Sequence, residues 1–548
     1  MKSKRVVNGI CCVLMLWCSS AFADSWQIET VDSSGNVGGG ISLADMSITG
    51  EPNISYYSTN GKLMYACNKG SGWSISTVDS PGDEGATTSI MLDVAADPRN
   101  PCISYTDGSH LKFAALAGSH WTITSLDPGH DSDYPSIACD SNGNPYIPYY
   151  DSDYGNLRYC YWTGYSWNIE TIDPTSGVGM FTSIALDSND NAHISYYDFL
   201  NYHLKYVYWT GSSWSIQTVD SVNQVGQYTS IAVQSAGNIH ISYYDQDGDA
   251  LKYAHYYSGS WHIQYANEEP GGGGLFTSID VDSSGYPHIS YFDENDADLM
   301  YVHWTGSTWS IETIDSLGVV GMFTSLSLDK NNNPCIAYLD GSKQNLKYAF
   351  YNQAPSNFRL LSPVQDSYAD NPPTLDWEDA DDVQDLTYDL WYSTEADFNP
   401  HTEITDLTDS TYTFPPGVLS SGQTYYWKVT ASDGYEESWC TAPGGGGQDE
   451  YWTFHINNTN PASFAILNLY PNPVAETMTC LLSVPEPGRV KLALYDLSGR
   501  MVYEESVLVS EPNEVSVQLD VASLASGTYT LQATCGGVEA SARCVVTR

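Results

Sequence analysis

The sequence is short of positive charge. It holds 20 Lys and Arg against 66 Asp and Glu in 548 residues, a formal net charge of −46. A binder of nucleic-acid backbone needs a basic face, and so does a surface drawn to anionic lipid, so the composition excludes both as first readings. Long apolar runs are scarce as well. Beyond the first stretch nothing is apolar enough to span a bilayer, so the mature chain is expected to have no transmembrane span. HExxH, a GxSxG elbow, a P-loop and a GxGxxG followed by a helix are all missing. No two cysteines form a CxxC pair.

The first residues read as a processing signal. Lys2, Lys4 and Arg5 precede an apolar stretch from about Ile10 to Trp17, and Ala21-Phe22-Ala23 reads as a cleavage site, so residues 1–23 are expected to be a signal peptide. Its removal takes Cys11, Cys12 and Cys18 and leaves nine cysteines, an odd number in a compartment where disulfides form.

What the chain has in abundance is repetition. A Trp-x-Ile segment recurs at Trp26, Trp73, Trp121, Trp167, Trp214, Trp261 and Trp309, at intervals of 46 to 48 residues. Three further segments share the period. They are typified by Thr-Ser-Ile-Ala-Leu-Asp at 182–187, His-Ile-Ser-Tyr-Tyr-Asp at 193–198 and Leu-Lys-Tyr-Val at 204–207. All are short, rich in β-branched and aromatic residues and bounded by turn formers. Four strands per repeat, seven times over, predict an all-β chain whose residues 24–353 form a seven-bladed β-propeller. The phase of the repeat puts a lone Trp-x-Ile strand first and leaves the last repeat without one. Trp26–Val31 is therefore expected to be the outer strand of blade seven.

The repeat columns read mainly as scaffold. Tyr56, Tyr105, Tyr149, Tyr196, Tyr243, Tyr291 and Tyr338 occupy one position and are expected to pack between blades. Asp107, Asp151, Asp198, Asp245, Asp293 and Asp340 end the second strand. Lys62, Lys112, Arg158, Lys205, Lys252 and Lys347 lie in the third, with Met300 breaking the column. A salt bridge across each hairpin is the expectation, and a ring of anion sites the functional alternative. Trp162, Trp209 and Trp304 are either outer-strand packing or sugar-stacking platforms.

Two more domains follow. Over residues 356–457, the segments Pro373–Trp377, Tyr388–Tyr392 and Leu419–Ala431 resemble a fibronectin type III-like sandwich, in which a Tyr near the start of a late strand bonds back to the chain. The resemblance implies a spacer or interaction module. Over 464–548 the chain carries Leu469-Tyr470-Pro471-Asn472-Pro473, then Leu494–Arg500, then Leu524 and Ser526-Gly527-Thr528-Tyr529, and it ends Val545–Arg548. These segments resemble the C-terminal sorting domain of the bacterial type IX secretion system. That resemblance implies a second small β-sandwich, the secretion machinery as a partner, and a protein secreted or attached to the outer cell surface.

No cofactor is expected, apart from calcium. Asp245, Asp247 and Asp249, at alternate positions of one hairpin loop, are the candidate ligands; Asp293, Glu294, Asp296 and Asp298 form a second dense loop, and Asp151 with Asp153 a thinner one. The plain reading of these loops is Asp-rich turns in water. His193, His240 and His288 share one repeat column but lie in different blades, so they read as ordinary strand positions. A sialidase-like site needs three arginines for a carboxylate, and residues 24–353 hold only Arg99 and Arg158. Longer connections at Asp45–Pro52 and Val94–Pro101, and around Glu268–Gly274, are the departures from the repeat. The expected function is a secreted or surface binding protein whose propeller meets a glycan or protein. A polysaccharide-degrading enzyme with an axial active site is the alternative, and a structural surface component the third reading.

Overall fold

The computed structural model describes residues 25–44, 46, 50–70, 72–82, 87–96, 99–234, 237–267, 271–382, 386–440, 451–456, 463–510 and 513–547. The expected signal peptide, half of the Asp45–Pro52 connection, Asp97 and Pro98, Glu268–Pro270 and the run Gly444–Gly447 lie outside them. Every regular element among the described residues is a strand. The chain divides into two compact units, Ser25–Asn352 and the residues from Gln353 onward.

In the first unit the described residues form seven antiparallel sheets. One is Val178–Leu186, Ala192–Asp198, His203–Trp209 and Trp214–Asp220, paired in that order. Burial follows from position. Ala192–Asp198 is buried at every residue, because neighbouring sheets cover both its faces, whereas Trp214–Asp220 is partly exposed. Ser25–Asp32, the first strand, lies antiparallel along Asn345–Asn352, so the start of this unit is the outer strand of its last sheet.

A recurring hydrogen bond runs from sheet to sheet around the ring. The serine of each Thr-Ser-Ile segment accepts from a backbone N–H of the next sheet, as Ser183 Oγ does from Ile231 (3.1 Å) and Ser230 Oγ from Ile279 (3.2 Å). Ser325 Oγ accepts from Leu43, returning from the last sheet to the first (3.0 Å). Further out, each Trp of the Trp-x-Ile column meets an aromatic ring of the preceding sheet edge-to-face. Trp214 on Tyr159 (5.1 Å) and Trp261 on Tyr206 (5.2 Å) are typical, and Trp73 on Tyr348 (5.4 Å) spans the closure. Such pairs add about 0.5–1.5 kcal/mol beyond burial. A ring of sheets closed on itself in this way is a β-propeller arrangement.

The charged column is placed differently from the sequence expectation. For Arg158, Lys205, Lys252 and Lys347 the principal partner is not the Asp across its own hairpin but the Asp at the end of the outer strand of the preceding sheet. Lys205 Nζ lies 2.6 Å from Asp173, Lys252 Nζ 2.7 Å from Asp220, Lys347 Nζ 2.5 Å from Asp315 and Arg158 2.6 Å from Asp127. The same four carboxylates accept the hydroxyls of Tyr196, Tyr243, Tyr338 and Tyr149 at 2.6–2.8 Å. The hairpin Asp is the more distant partner, for example Asp245 at 3.6 Å from Lys252. Lys112 reverses the order, 3.0 Å from Asp107 and 3.6 Å from Asp79, and Lys62 is exposed. These are buried junctions between sheets. Burial pushes the Asp173 and Asp315 carboxyls up, but the bonds from lysine and tyrosine outweigh it and hold both below the usual carboxylate range. One junction abandons the design, with Asn267 in place of the Asp and Met300 in place of the cation beside Tyr291.

In the second unit, Leu360–Ser362, Thr374–Trp377 and Thr411–Thr413 form one sheet. A second, including Thr387–Ser393, Thr424–Ser432 and Trp452–Ile456, shares with it a core built on Trp377, Trp427 and Phe414. Tyr425 bonds back to its own chain, its hydroxyl accepting from the Ser420 N–H at 2.9 Å. From Ala465 onward, a three-stranded and a four-stranded sheet enclose a core that includes Val474, Met478, Leu492 and Leu531. All nine described cysteines are free thiols.

Candidate functional site

The innermost strands carry the feature that stands apart from the packing. Val178–Leu186 is bulged against its partner on both sides of Met180. Bulges re-aim a side chain, and here the next residue, Phe181, enters the left-handed region at φ 53°. The same conformation recurs at Tyr134 (51°), Tyr228 (52°), Phe276 (54°) and Phe323 (53°). For bulky residues it is strained by about 1–2 kcal/mol. Close backbone approach in the bulge requires a glycine two residues earlier in four of these strands. At Gly226, for example, a Cβ would stand 2.8 Å from the Leu204 Cα.

The five rings form one arc. Tyr134 meets Phe181 at 4.6 Å between centroids, Phe181 meets Tyr228 at 4.6 Å, Tyr228 meets Phe276 at 4.7 Å and Phe276 meets Phe323 at 4.5 Å. Here the same repeat position touches itself from sheet to sheet, because the innermost strands converge on the ring axis, whereas the outer Trp contacts join different positions. The two remaining sheets place Gly40 and Thr87 in the column, and Phe323 closes against Gly39, where a Cβ would lie 2.8 Å from its ring. All five rings are half-buried.

Carboxylates flank the arc. Asp133 Oδ1 accepts from the Tyr134 N–H (2.8 Å) and the Thr87 hydroxyl (3.2 Å). Asp249 Oδ1 accepts the hydroxyl of Tyr244 at 3.0 Å, and Tyr244 pairs across the strands with Gln227, the neighbour of Tyr228. Burial first, and then the charge of Asp133, pushes the Tyr134 phenol up to about 12; burial and then Glu294 raise Tyr228.

The structure does not gather the candidate calcium ligands. Asp245 is fully buried and accepts from the Asn223 amide (3.0 Å) and the Gly248 N–H (3.0 Å). Asp247 accepts from the backbone and side chain of Gln224, and Asp249 from Tyr244 and Asn295. Asp245 and Asp247 tie the loop at Asn223 and Gln224, and Asp249 the loop at Asn295. Among the described residues, the set of possible ligand atoms that does converge is His130, Asp151 and Asp153. There His130 Nδ1 lies 3.1 Å from Asp151, and the Arg158 guanidinium stands 3.4 Å from the same carboxylate. His193, His240 and His288 each face a tyrosine hydroxyl of their own sheet through Nδ1, which keeps them apart. Burial pushes His240 down to about 3 and His288 to about 4. Trp162, Trp209 and Trp304 pack edge-to-face on Trp167, Trp214 and Trp309 at 5.3–5.5 Å, as hairpin partners.

The C-terminal strands settle where the protein goes. Asn472, within Tyr470-Pro471-Asn472-Pro473, clasps the last strand, its amide donating to Arg543 O (3.1 Å) and its carbonyl accepting from the Val545 N–H (2.9 Å). A family model for secretion system C-terminal sorting domains matches residues 468–547. Residues 468–547 are a C-terminal sorting domain. The sorting domain marks a type IX export substrate, so the protein is secreted or attached to the outer cell surface. No helix among the described residues is long and apolar enough to cross a membrane.

No curated protein matches the chain. Among solved structures, the fucose-specific lectin from Aleuria aurantia is similar at 16% identity, over 50% of this chain and 96% of that one, with a TM-score of 0.37. AofleA from Arthrobotrys oligospora is similar at 13% identity, over 54% and 91%, with a TM-score of 0.38. A polysaccharide lyase, an ulvan lyase, is similar at 12% identity, over 58% and 94%, with a TM-score of 0.42. These similarities carry neither a ligand nor a blade number to this chain.

Sequence reasoning missed the arc. The Thr-Ser-Ile segment is recognisable from Thr182 onward, one residue after the aromatic position. The signal is nevertheless present, as an aromatic before Thr-Ser in the last four repeats and Tyr134 before Pro-Ser in the third.

Proposed function

We propose that this exported protein is a glycan-binding protein. In this reading residues 24–353 are a seven-bladed β-propeller head, 356–457 a fibronectin type III-like spacer, and 464–548 the export domain. The observation that carries it is the axial arc. Five large aromatics are held half-exposed in a backbone conformation that disfavours them, where glycine or a small polar residue would be easier. Packing alone does not require this, since Gly40 and Thr87 fill the same column in two sheets. Aromatic faces stacked around an axis offer the flat apolar surface on which the C–H faces of sugar rings settle. Arg158, Lys205, Lys252 and Lys347 are taken up in the junctions between sheets, which leaves the arc and its carboxylates as the recognition surface.

The test is a glycan array probed with the mature chain and with its Phe181→Gly, Tyr228→Gly double variant. Binding of a defined set of glycans by the parent, lost in the variant, supports the reading. Release of reducing ends from a bound polysaccharide, abolished by one carboxylate substitution, would replace binding with hydrolysis. An array without hits for the parent would remove the glycan reading altogether.

A further inference from the structure

We infer that the axial face takes a positively charged glycan, one built of sugars with protonated amines, and rejects uronate and sulfated glycans. The inference rests on the glycan-binding reading and names the class of sugar. The charges at the arc's end of the ring select the class of sugar. The cations there are engaged: Arg158, Lys205, Lys252 and Lys347 lie 2.5–2.7 Å from buried carboxylates of the preceding sheet, and Lys112 lies 3.0 Å from Asp107. Lys62 and Lys343 are exposed, but Lys343 lies 3.6 Å from Asp340, and Lys62 leads into the sheet whose place in the arc is Gly40. The carboxylates are in excess, and Asp131, Asp153, Asp247, Glu294 and Asp296 stand exposed on the same set of loops. Asp133 and Asp249 bond directly to the arc or its immediate neighbours.

An anionic sugar on Phe181, Tyr228 and Phe276 would therefore meet carboxylates, the exposed ammoniums of Lys62 and Lys343 standing on the two sheets that meet at the Phe323 end of the arc. Bidentate arginine is the usual solution for a sugar carboxylate, and the described part of this face does not offer it. The same geometry argues against elimination chemistry on uronates, which needs the substrate carboxylate neutralised before the neighbouring proton leaves. An ammonium on the sugar, by contrast, finds carboxylates at the edge of the stacking surface, and a cation also gains from the ring faces themselves.

Calorimetric titration of the mature chain with three hexasaccharides tests the inference: a glucosamine hexamer, its N-acetylated counterpart, which has the same backbone without the charge, and a galacturonate hexamer. At about 0.02 M salt, where the Debye length is about 20 Å, the glucosamine hexamer is expected to bind about ten-fold more tightly than the acetylated one. The gap should close at about 0.5 M salt, where that length is about 4 Å. Glu294→Gln and Asp296→Asn, both at exposed positions, should each weaken the charged ligand about 2- to 5-fold, the range an exposed ion pair supplies, and so narrow its advantage over the acetylated ligand. Equal or tighter binding of the acetylated hexamer, or any binding of galacturonate, would overturn the charge assignment while leaving the arc as a glycan site. Failure of all three to bind would overturn it too. The reading of the arc would then survive only if Phe181→Gly abolished a different array hit.

Discussion

Phe181 allows strain to be separated from contact. Replacing it with alanine or with glycine removes the same ring and the same three ring contacts, to Tyr134 and Tyr228 at 4.6 Å and to Tyr197 at 6.2 Å. The losses therefore cancel when the two variants are compared. What remains is the backbone. In an ordinary strand glycine is the worse residue by about 0.5–1 kcal/mol, through the entropy of the unfolded chain. At φ 53° alanine keeps the left-handed penalty of about 1–2 kcal/mol and glycine escapes it. The two effects oppose, and the larger wins, so Phe181→Gly should be more stable than Phe181→Ala by about 0.5–1 kcal/mol. Differential scanning calorimetry of the mature chain would read this as about 1–2 °C in the propeller transition, given a unit of its size. Ile194, fully buried with ordinary strand geometry, is the control: there the alanine variant should be the more stable. If glycine is worse than alanine at 181 as well, the arc is not held against its backbone preference, and the argument that it is kept for a ligand loses its basis.

Further predictions rest on the junctions and the termini. Lys252→Met leaves Asp220 buried without its cation and should cost about 3–5 kcal/mol, whereas Asp220→Asn with Lys252→Met, the neutral combination found at Asn267 and Met300, should recover at least half of that in the same calorimetric scan. Because Asp173 and Asp315 have depressed carboxyls, their junctions stabilise above the unfolded value near pH 4 and lose that contribution as pH falls through the folded one; Lys205→Met should reduce acid sensitivity in a melting series. His240 and His288 are held neutral, so the unfolded chain takes up their protons first and stability should fall as pH drops below about 6.5; His240→Asn should flatten that limb of the same series. Deleting residues 24–33 removes the strand paired along Asn345–Asn352 and the Trp26 contact with Tyr301, and should lower the melting temperature by more than about 10 °C or leave the chain insoluble. Deleting residues 464–548 should hold the protein inside the cell envelope, as cell fractionation would report.

The repeat made much of the all-β architecture legible, because a sheet that packs on copies of itself must keep its packing residues in register. The Tyr56 and Trp26 columns are examples, and both sit between sheets. Partner choice was less legible. The cation column has an Asp column on either side of it in three dimensions, one across the hairpin and one from the preceding sheet, and one strand's pattern does not say which is nearer. The alternate spacing of Asp245, Asp247 and Asp249 resembled a ligand set, yet Asn223, Gln224 and Asn295, from neighbouring loops, take up those carboxylates. The arc was hidden for a different reason. Its column mixes glycine, threonine, tyrosine and phenylalanine and sits at a bulge, where the two-residue alternation that guides strand reading breaks down.

The most direct measurement is a crystal structure of the mature chain with a glycan taken from the array. The account predicts a sugar ring lying against the faces of two or more of Tyr134, Phe181, Tyr228, Phe276 and Phe323, with a substituent directed at Asp133, Asp249 or Glu294. A sugar bound instead at the Trp162, Trp209 or Trp304 hairpins, with the arc untouched, would contradict it.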